Sequence, residues 1–174
     1  MILDRLFRPR PAKLVGFELY TKAAAQARRP ALYTAMRTPD TREGRFELYT
    51  LHVILLIERL RGQGDAAAET SQETFDAYLR GLDDAFRELG VGDLSVGKKM
   101  KKLGQAFYGR LRSYDEALAA LPSRKALEAL IGRTVGEEAD AAALADYLLA
   151  ARDHLAAQPL DQLLSGDVTW PTLS

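Results

Sequence analysis

The chain has 174 residues, 47% hydrophobic and 28% charged, with 13 glycines and 7 prolines, which is the composition of one folded globular domain and excludes a disordered or fibrous chain. With no cysteine and only two histidines, His52 and His154, it excludes a disulfide framework, a thiolate nucleophile, a zinc–thiolate site and an iron–sulfur cluster, and no metal or cofactor is expected. Formal net charge is zero, yet residues 1–64 carry 12 basic and 6 acidic side chains, 65–94 carry 2 and 8, 95–133 carry 9 and 3, and 134–174 carry 1 and 7, so either folded segments neutralise one another or separate basic and acidic faces exist.

At the start, Leu3, Leu6 and Phe7 alternate with Arg5, Arg8 and Arg10 but form no apolar core or cleavage site of a secretory signal, and Asp4, Pro9 and Pro11 oppose an amphipathic presequence. No apolar run approaches the roughly 18 residues of a membrane-spanning helix, so cytoplasmic residence is expected. Val15, Leu19, Ala23 and Ala27 then predict a helix ending at Arg29-Pro30, followed by a short one over Ala31 to Met36. Thr38-Pro39-Asp40-Thr41 reads as a rigid turn. After Gly44, Phe46, Tyr49, Leu51, Val53, Ile54, Leu55, Ile57 and Leu60 leave almost no polar arc, which predicts a buried central helix. Its polar stripe is Arg45, His52 and Arg59, spaced by seven and so stacked within about 20° per step; it must meet water, acidic partners or a ligand.

Gly62-Gln63-Gly64 breaks the pattern, and an acidic linker leads to a helix with Phe75, Leu79, Leu82, Phe86 and Leu89, stopped by Gly90. Val96, Met100, Leu103, Phe107, Leu111, Tyr114, Leu118 and Leu121 predict a helix of about six to seven turns closed by Pro122. Leu127, Leu130 and Ile131 support a shorter helix, Leu144, Leu148 and Leu155 a last one running to about Gln158, and the tail with Leu160, Leu163, Leu164 and Trp170 is apolar enough to dock back. The expected fold is all-α: a single domain over 1–174, with a core of about 15–158 and a tail of 159–174, forming a compact bundle of about five to seven helices around the central hydrophobic one.

Gly90-Val91-Gly92 lacks what a phosphate loop needs, and neither histidine sits in a hydrolase or metalloprotease motif. His52 reads best as a hydrogen-bonded structural imidazole. Lys98, Lys99, Lys101 and Lys102 crowd the first turns of a helix that Asp93 or Ser95 can cap, where the macrodipole already places positive charge. An anion would relieve them, or Asp83, Asp84 and Glu88 do so internally; both readings stay open. Gly104 and Gly109 inside the same helix suggest close packing against another helix, and Arg110 beside Tyr108 and Tyr114 could form a phosphate or carboxylate clamp with aromatic walls.

Two strings stand in order along the chain. One is Thr38-Pro39-Asp40-Thr41-Arg42-Glu43-Gly44-Arg45-Phe46, followed by Leu51-His52 and Arg59-Leu60. The other runs from Phe86-Arg87-Glu88-Leu89-Gly90 through Lys98-Lys99 to Phe107-Tyr108-Gly109-Arg110 and Tyr114. Together they resemble the ubiquinol–cytochrome c chaperone family over roughly residues 15–150. The resemblance implies a bacterial-type, non-enzymatic, helical assembly factor for the cytochrome bc complex that binds nascent cytochrome b, with the ribosome or an anionic membrane surface as further partners and a place in the cytoplasm or peripheral on the inner membrane; zero total charge and the lack of a short helix-turn-helix unit give no expectation of DNA as a partner. The family has no catalytic residues to transfer. On this reading Pro39, Asp40, Thr41, Gly44, Arg45, Phe46, His52, Tyr108, Arg110 and Tyr114 line the client surface, and Lys98, Lys99, Lys101 and Lys102 form an anionic-partner face. Two rival classes are a helical nucleic-acid-binding regulator using the basic cluster at 98–102, and a haem- or quinone-handling enzyme using His52 and Arg45.

Overall fold

Apolar side chains at three- and four-residue spacings turn the described chain, residues 11–173, into eight α-helices in this computed structural model. The stretch 1–10, read above for a targeting signal, lies outside the described residues, as do the side chains of Asp93 and Leu94. In chain order the helices are α1 Ala12–Ala27, α2 Pro30–Thr34, α3 Arg42–Leu60, α4 Asp65–Glu88, α5 Asp93–Ala119, α6 Lys125–Val135, α7 Ala141–Ala157 and α8 Leu160–Leu164, with no strand among the described residues. The eighth helix exceeds the expected five to seven because the docked tail adds one turn of its own.

Helix α3 is the centre, as its apolar density requires: it touches α1, α4, α5, α6 and α7, and Leu48, Leu51, Val53, Leu55, Leu56 and Leu60 are at most 2% exposed. Each such side chain contributes roughly 1.5–3 kcal/mol on burial. Thr41 caps its start by accepting a hydrogen bond from the Gly44 amide at 3.1 Å. Gly44 lies so close to the preceding turn that a Cβ there would run into the Pro39 carbonyl. One hydrophobic cluster extends from Val15 to Val168, so the tail is part of the core.

Two sequence expectations change here. The acidic linker at 65–74 is helical, because α4 begins at Asp65 directly after Gly64, whose φ of 96° makes the turn. Its buried face is built from Ala67, Thr70 and Thr74, side chains too small and polar to register as a hydrophobic stripe. The long helix is capped by Gly92, with Asp93 its first residue and Ser95 already in the first turn.

The glycines of α5 also differ from expectation. A Cβ on Gly104 or Gly109 would meet nothing within 4 Å among the described residues, so no described helix packs against them. Close approach occurs instead at Gly16 of α1, where a Cβ would stand 2.6 Å from the backbone of Glu73 in α4; α1 and α4 form the most extensive helix pair. We therefore expect Gly16→Leu to lower unfolding free energy by about 2–3 kcal/mol or more, whereas Gly109→Ala raises it by about 0.5–1 kcal/mol, both measurable by urea denaturation.

Candidate interaction surface

Several polar side chains of the core, His52, Tyr147 and Gln26 among them, are bound to one another and point away from solvent. His52 on α3 is fully buried; its Nδ1–H donates to the Leu48 carbonyl at 2.7 Å, which leaves Nε2 to accept from the Tyr147 hydroxyl of α7 at 2.6 Å. Tyr147 in turn accepts from the Gln26 amide of α1 at 3.0 Å, and the Trp170 ring stands edge-on to the imidazole with centroids 5.0 Å apart. Burial holds the imidazole neutral, pushing its pKa down to about 4 against the opposing effect of the Leu48 bond, and raises that of Tyr147. Arg59, one turn pair further, donates to the carbonyls of Leu155 and Gln158 at 2.9 Å each, closing the end of α7. The Arg45–His52–Arg59 stripe thus divides: its first member faces water, its second the core and its third the end of α7.

Arg110 does form a carboxylate clamp, and the carboxylate is the chain's own. Its Nε and Nη2 donate to the two oxygens of Glu47 at 2.9 and 2.8 Å, tying α5 to α3, with the Glu47 side chain only 8% exposed. The hydrogen bond to Glu47 raises the pKa of Arg110, while burial and the Glu47 charge raise that of Tyr114. His52 and Tyr114 are 0% and 2% exposed, and Gly44 is buried as well, so a partner touches none of them without opening the fold. They hold up the surface from beneath. Of the remaining predicted residues, Asp40 and Arg45 are exposed and paired to each other at 2.6 Å, which keeps the Asp40 carboxyl below the usual range, Thr41 is exposed while serving as the cap, and Pro39 and Phe46 are half-buried.

Tyr108 is the outlier: 57% exposed, yet packed against Phe75 and Phe107 at centroid distances of 5.4 and 6.0 Å. It forms one wall of an open groove of about 300 Å³ whose floor is Ile57, Leu60, Phe75, Phe107 and Leu111. This groove sits at the C-terminal end of α3 and the Pro39–Arg45 turn at its N-terminal end, about 25 Å apart at the helical rise. The structure therefore does not bring the two predicted halves of the client surface into one patch. A larger cleft of about 420 Å³ is lined by the charged Glu58, Arg59, Arg152 and Asp153 beside Leu55 and Ala156, and its Arg152–Glu58 pair closes on itself at 2.7 Å.

Beyond the groove, α4 and α5 continue as a hairpin in which, among the described side chains from Leu79 to Ala106, only Val96 is buried. Lys98, Lys99, Lys101 and Lys102 are exposed on it, and no carboxylate among the described residues lies within ion-pair distance of them. Asp83 is engaged by Arg87 at 2.7 Å, and Lys99 rests 5.2 Å from the centroid of the Phe86 ring. Internal relief of the cluster by Asp83, Asp84 and Glu88 is thus absent among the described residues. Sequence reading missed the groove floor, because Phe75, Phe107 and Leu111 look like core. It also missed Glu47, whose signal was its place as the only acid between Arg45 and Ile57 in an otherwise apolar helix.

Comparison with known proteins bears on what this surface serves. A family model described as ubiquinol-cytochrome C chaperone matches residues 34–170. A crystal structure of the Cbp3 homolog from Brucella abortus is 34% identical, covers 99% of this chain and 98% of its own, and superposes with a TM-score of 0.84. No curated protein matches.

Two stability tests follow from the buried polar groups. His52 stays neutral in the fold but takes a proton in the unfolded chain below its ordinary value of 6.5, so its stabilisation is complete above pH 6.5 and is lost as pH falls toward about 4. Denaturation from pH 7 to pH 4.5 should show a His52-dependent loss of about 2–3 kcal/mol that is missing in His52→Gln. Arg110→Ala, which strands the Glu47 carboxylate, should cost about 2–4 kcal/mol, and Glu47→Leu combined with Arg110→Leu should recover most of it.

Proposed function

The chain belongs to the ubiquinol-cytochrome C chaperone family, and from that premise we propose that it is a non-enzymatic assembly chaperone for the cytochrome bc complex, binding newly made cytochrome b. One structural observation supports this reading above the rest: the polar groups that could have done chemistry, His52, Tyr147, Glu47 and Arg110, are bonded to one another inside, while the surface offers an apolar groove with an exposed aromatic wall. A holding protein needs that division, since it must shield apolar client segments and release them unchanged.

Tyr108 and the groove carry the client contact, and the Pro39–Phe46 turn forms a second contact at the other end of α3. Gly44, His52, Arg110 and Tyr114 position these surfaces without being touched. Lysines 98, 99, 101 and 102 on the hairpin, which have no carboxylate partner among the described residues, meet an anionic partner, the membrane surface or the ribosome. No helix among the described residues is long and apolar enough to cross a membrane, which is compatible with work in the cytoplasm or peripherally at the inner membrane.

Deleting the gene should reduce the spectroscopically measured assembled cytochrome bc complex severalfold, with restoration by the wild-type gene. A photo-crosslinker at position 108 should label newly synthesised cytochrome b. An unchanged level of the complex would overturn the reading.

A further inference from the structure

The groove is bounded unevenly. On the α5 and α3 side its cations are already matched: Arg61 pairs with Asp115 at 3.1 Å and Arg112 with Glu116 at 2.9 Å. On the α4 side, Asp65, Glu69 and Asp76 follow at helical spacings of four and seven, and so share one edge of the helix next to the groove-lining Ala68, Gln72 and Phe75. No cation among the described residues pairs with any of the three; Asp76 accepts only from Gln72, itself a lining residue, at 2.9 Å. An apolar floor, a half-exposed tyrosine and an uncompensated acidic bank therefore stand side by side.

We infer that this groove takes the cytosolic end of an apolar transmembrane helix of the client, with the lysines and arginines that flank such helices set against the Asp65–Glu69–Asp76 ridge. The inference rests on the chaperone reading above. Its basis is charge complementarity: cytosolic flanks of membrane helices are rich in Lys and Arg, and the apolar end just inside them needs cover before insertion. The direction of docking follows as well. Lys101 stands seven residues, about 10 Å, along α5 from Tyr108 toward the hairpin tip, so the basic cluster repels a cationic flank there and leaves it the end nearer the Gly62–Gly64 turn.

The test uses the full chain and two fluorescein-labelled peptides sharing one Leu/Ala core, one flanked by Lys-Arg-Lys and the other by Glu-Asp-Glu, in a nonionic detergent. By fluorescence anisotropy at low salt the basic-flanked peptide should bind at least tenfold more tightly. Asp65→Lys combined with Glu69→Lys, both exposed positions, should bring that ratio to one or below while circular dichroism stays unchanged and melting temperature falls only by the few degrees that a cation in the first turn of a helix costs. Tyr108→Asp should weaken both peptides at least fivefold. Equal binding of the two peptides, a ratio untouched by the ridge variant, or a wild-type dimer that Tyr108→Asp dissociates, placing a second copy in the groove, would each overturn the inference. Failure here with the cytochrome bc complex still dependent on the gene removes only the groove assignment; an independent complex removes the chaperone reading itself.

Discussion

A buried imidazole that must stay neutral and bonded on both nitrogens ties α1 to α7 and the C-terminal segment. His52 lies in the middle of the most apolar helix, where an unpaired polar nitrogen would cost several kcal/mol, and its two bonds leave little choice about what surrounds it. Tyr147 has to come from α7 and Gln26 from α1 to complete the chain of donors, and Gln26 also reaches the Pro171 carbonyl of the tail. With Trp170 against the ring and Gln158 bonded to Thr169 through both its amide nitrogen and its oxygen, the C-terminal segment becomes a strap over the network. Residues 121 positions apart are thereby held within hydrogen-bond reach.

The same economy governs the second internal pair. Glu47 and Arg110 form a two-point contact between α3 and α5, where removing Arg110 strands the Glu47 carboxylate in a nearly dry setting, while Arg110 itself keeps partial access to water. This pair anchors α5 at the body of the protein, and beyond it α4 and α5 run out as a hairpin with little buried surface. The result is a rigid body bearing a groove where the hairpin leaves it, and a basic end projecting from it. Function on the proposed reading requires nothing to move in the core, which is consistent with every titratable group there being matched by geometry as well as by charge.

Charge sorting explains how a chain of zero net charge can still present distinct surfaces. Lys22–Asp167 and Arg124–Asp146 do join the basic and acidic blocks seen along the sequence; Arg152–Glu58 joins two such blocks through the minority charge of each, and Arg61–Asp115 links two basic blocks. Among the charges of the described residues that this pairing leaves over are four lysines on α5, out on the hairpin, and an acidic ridge on α4 beside the groove. Exposed ion pairs contribute little stability, so the pattern matters chiefly for what approaches the surface.

Helix identity, the central place of α3 and the docking of the tail were all legible in the sequence, because the spacing of large apolar residues is a local property that survives without knowledge of neighbours. The first turns of α4 were not legible, since Ala67, Thr70 and Thr74 bury a face without hydrophobic bulk. Nor was the fate of individual polar residues. Sequence placed Arg45, His52 and Arg59 on one stripe and read His52 as a hydrogen-bonded structural imidazole, but only the packing of α7 decided which hydroxyl bonds it; sequence made Arg110 a clamp, but only the crossing of α3 and α5 supplied Glu47 as its anion. Periodicity states which side of a helix is apolar, whereas exposure and pairing depend on which distant helix arrives there, and that is a property of the assembled tertiary structure alone.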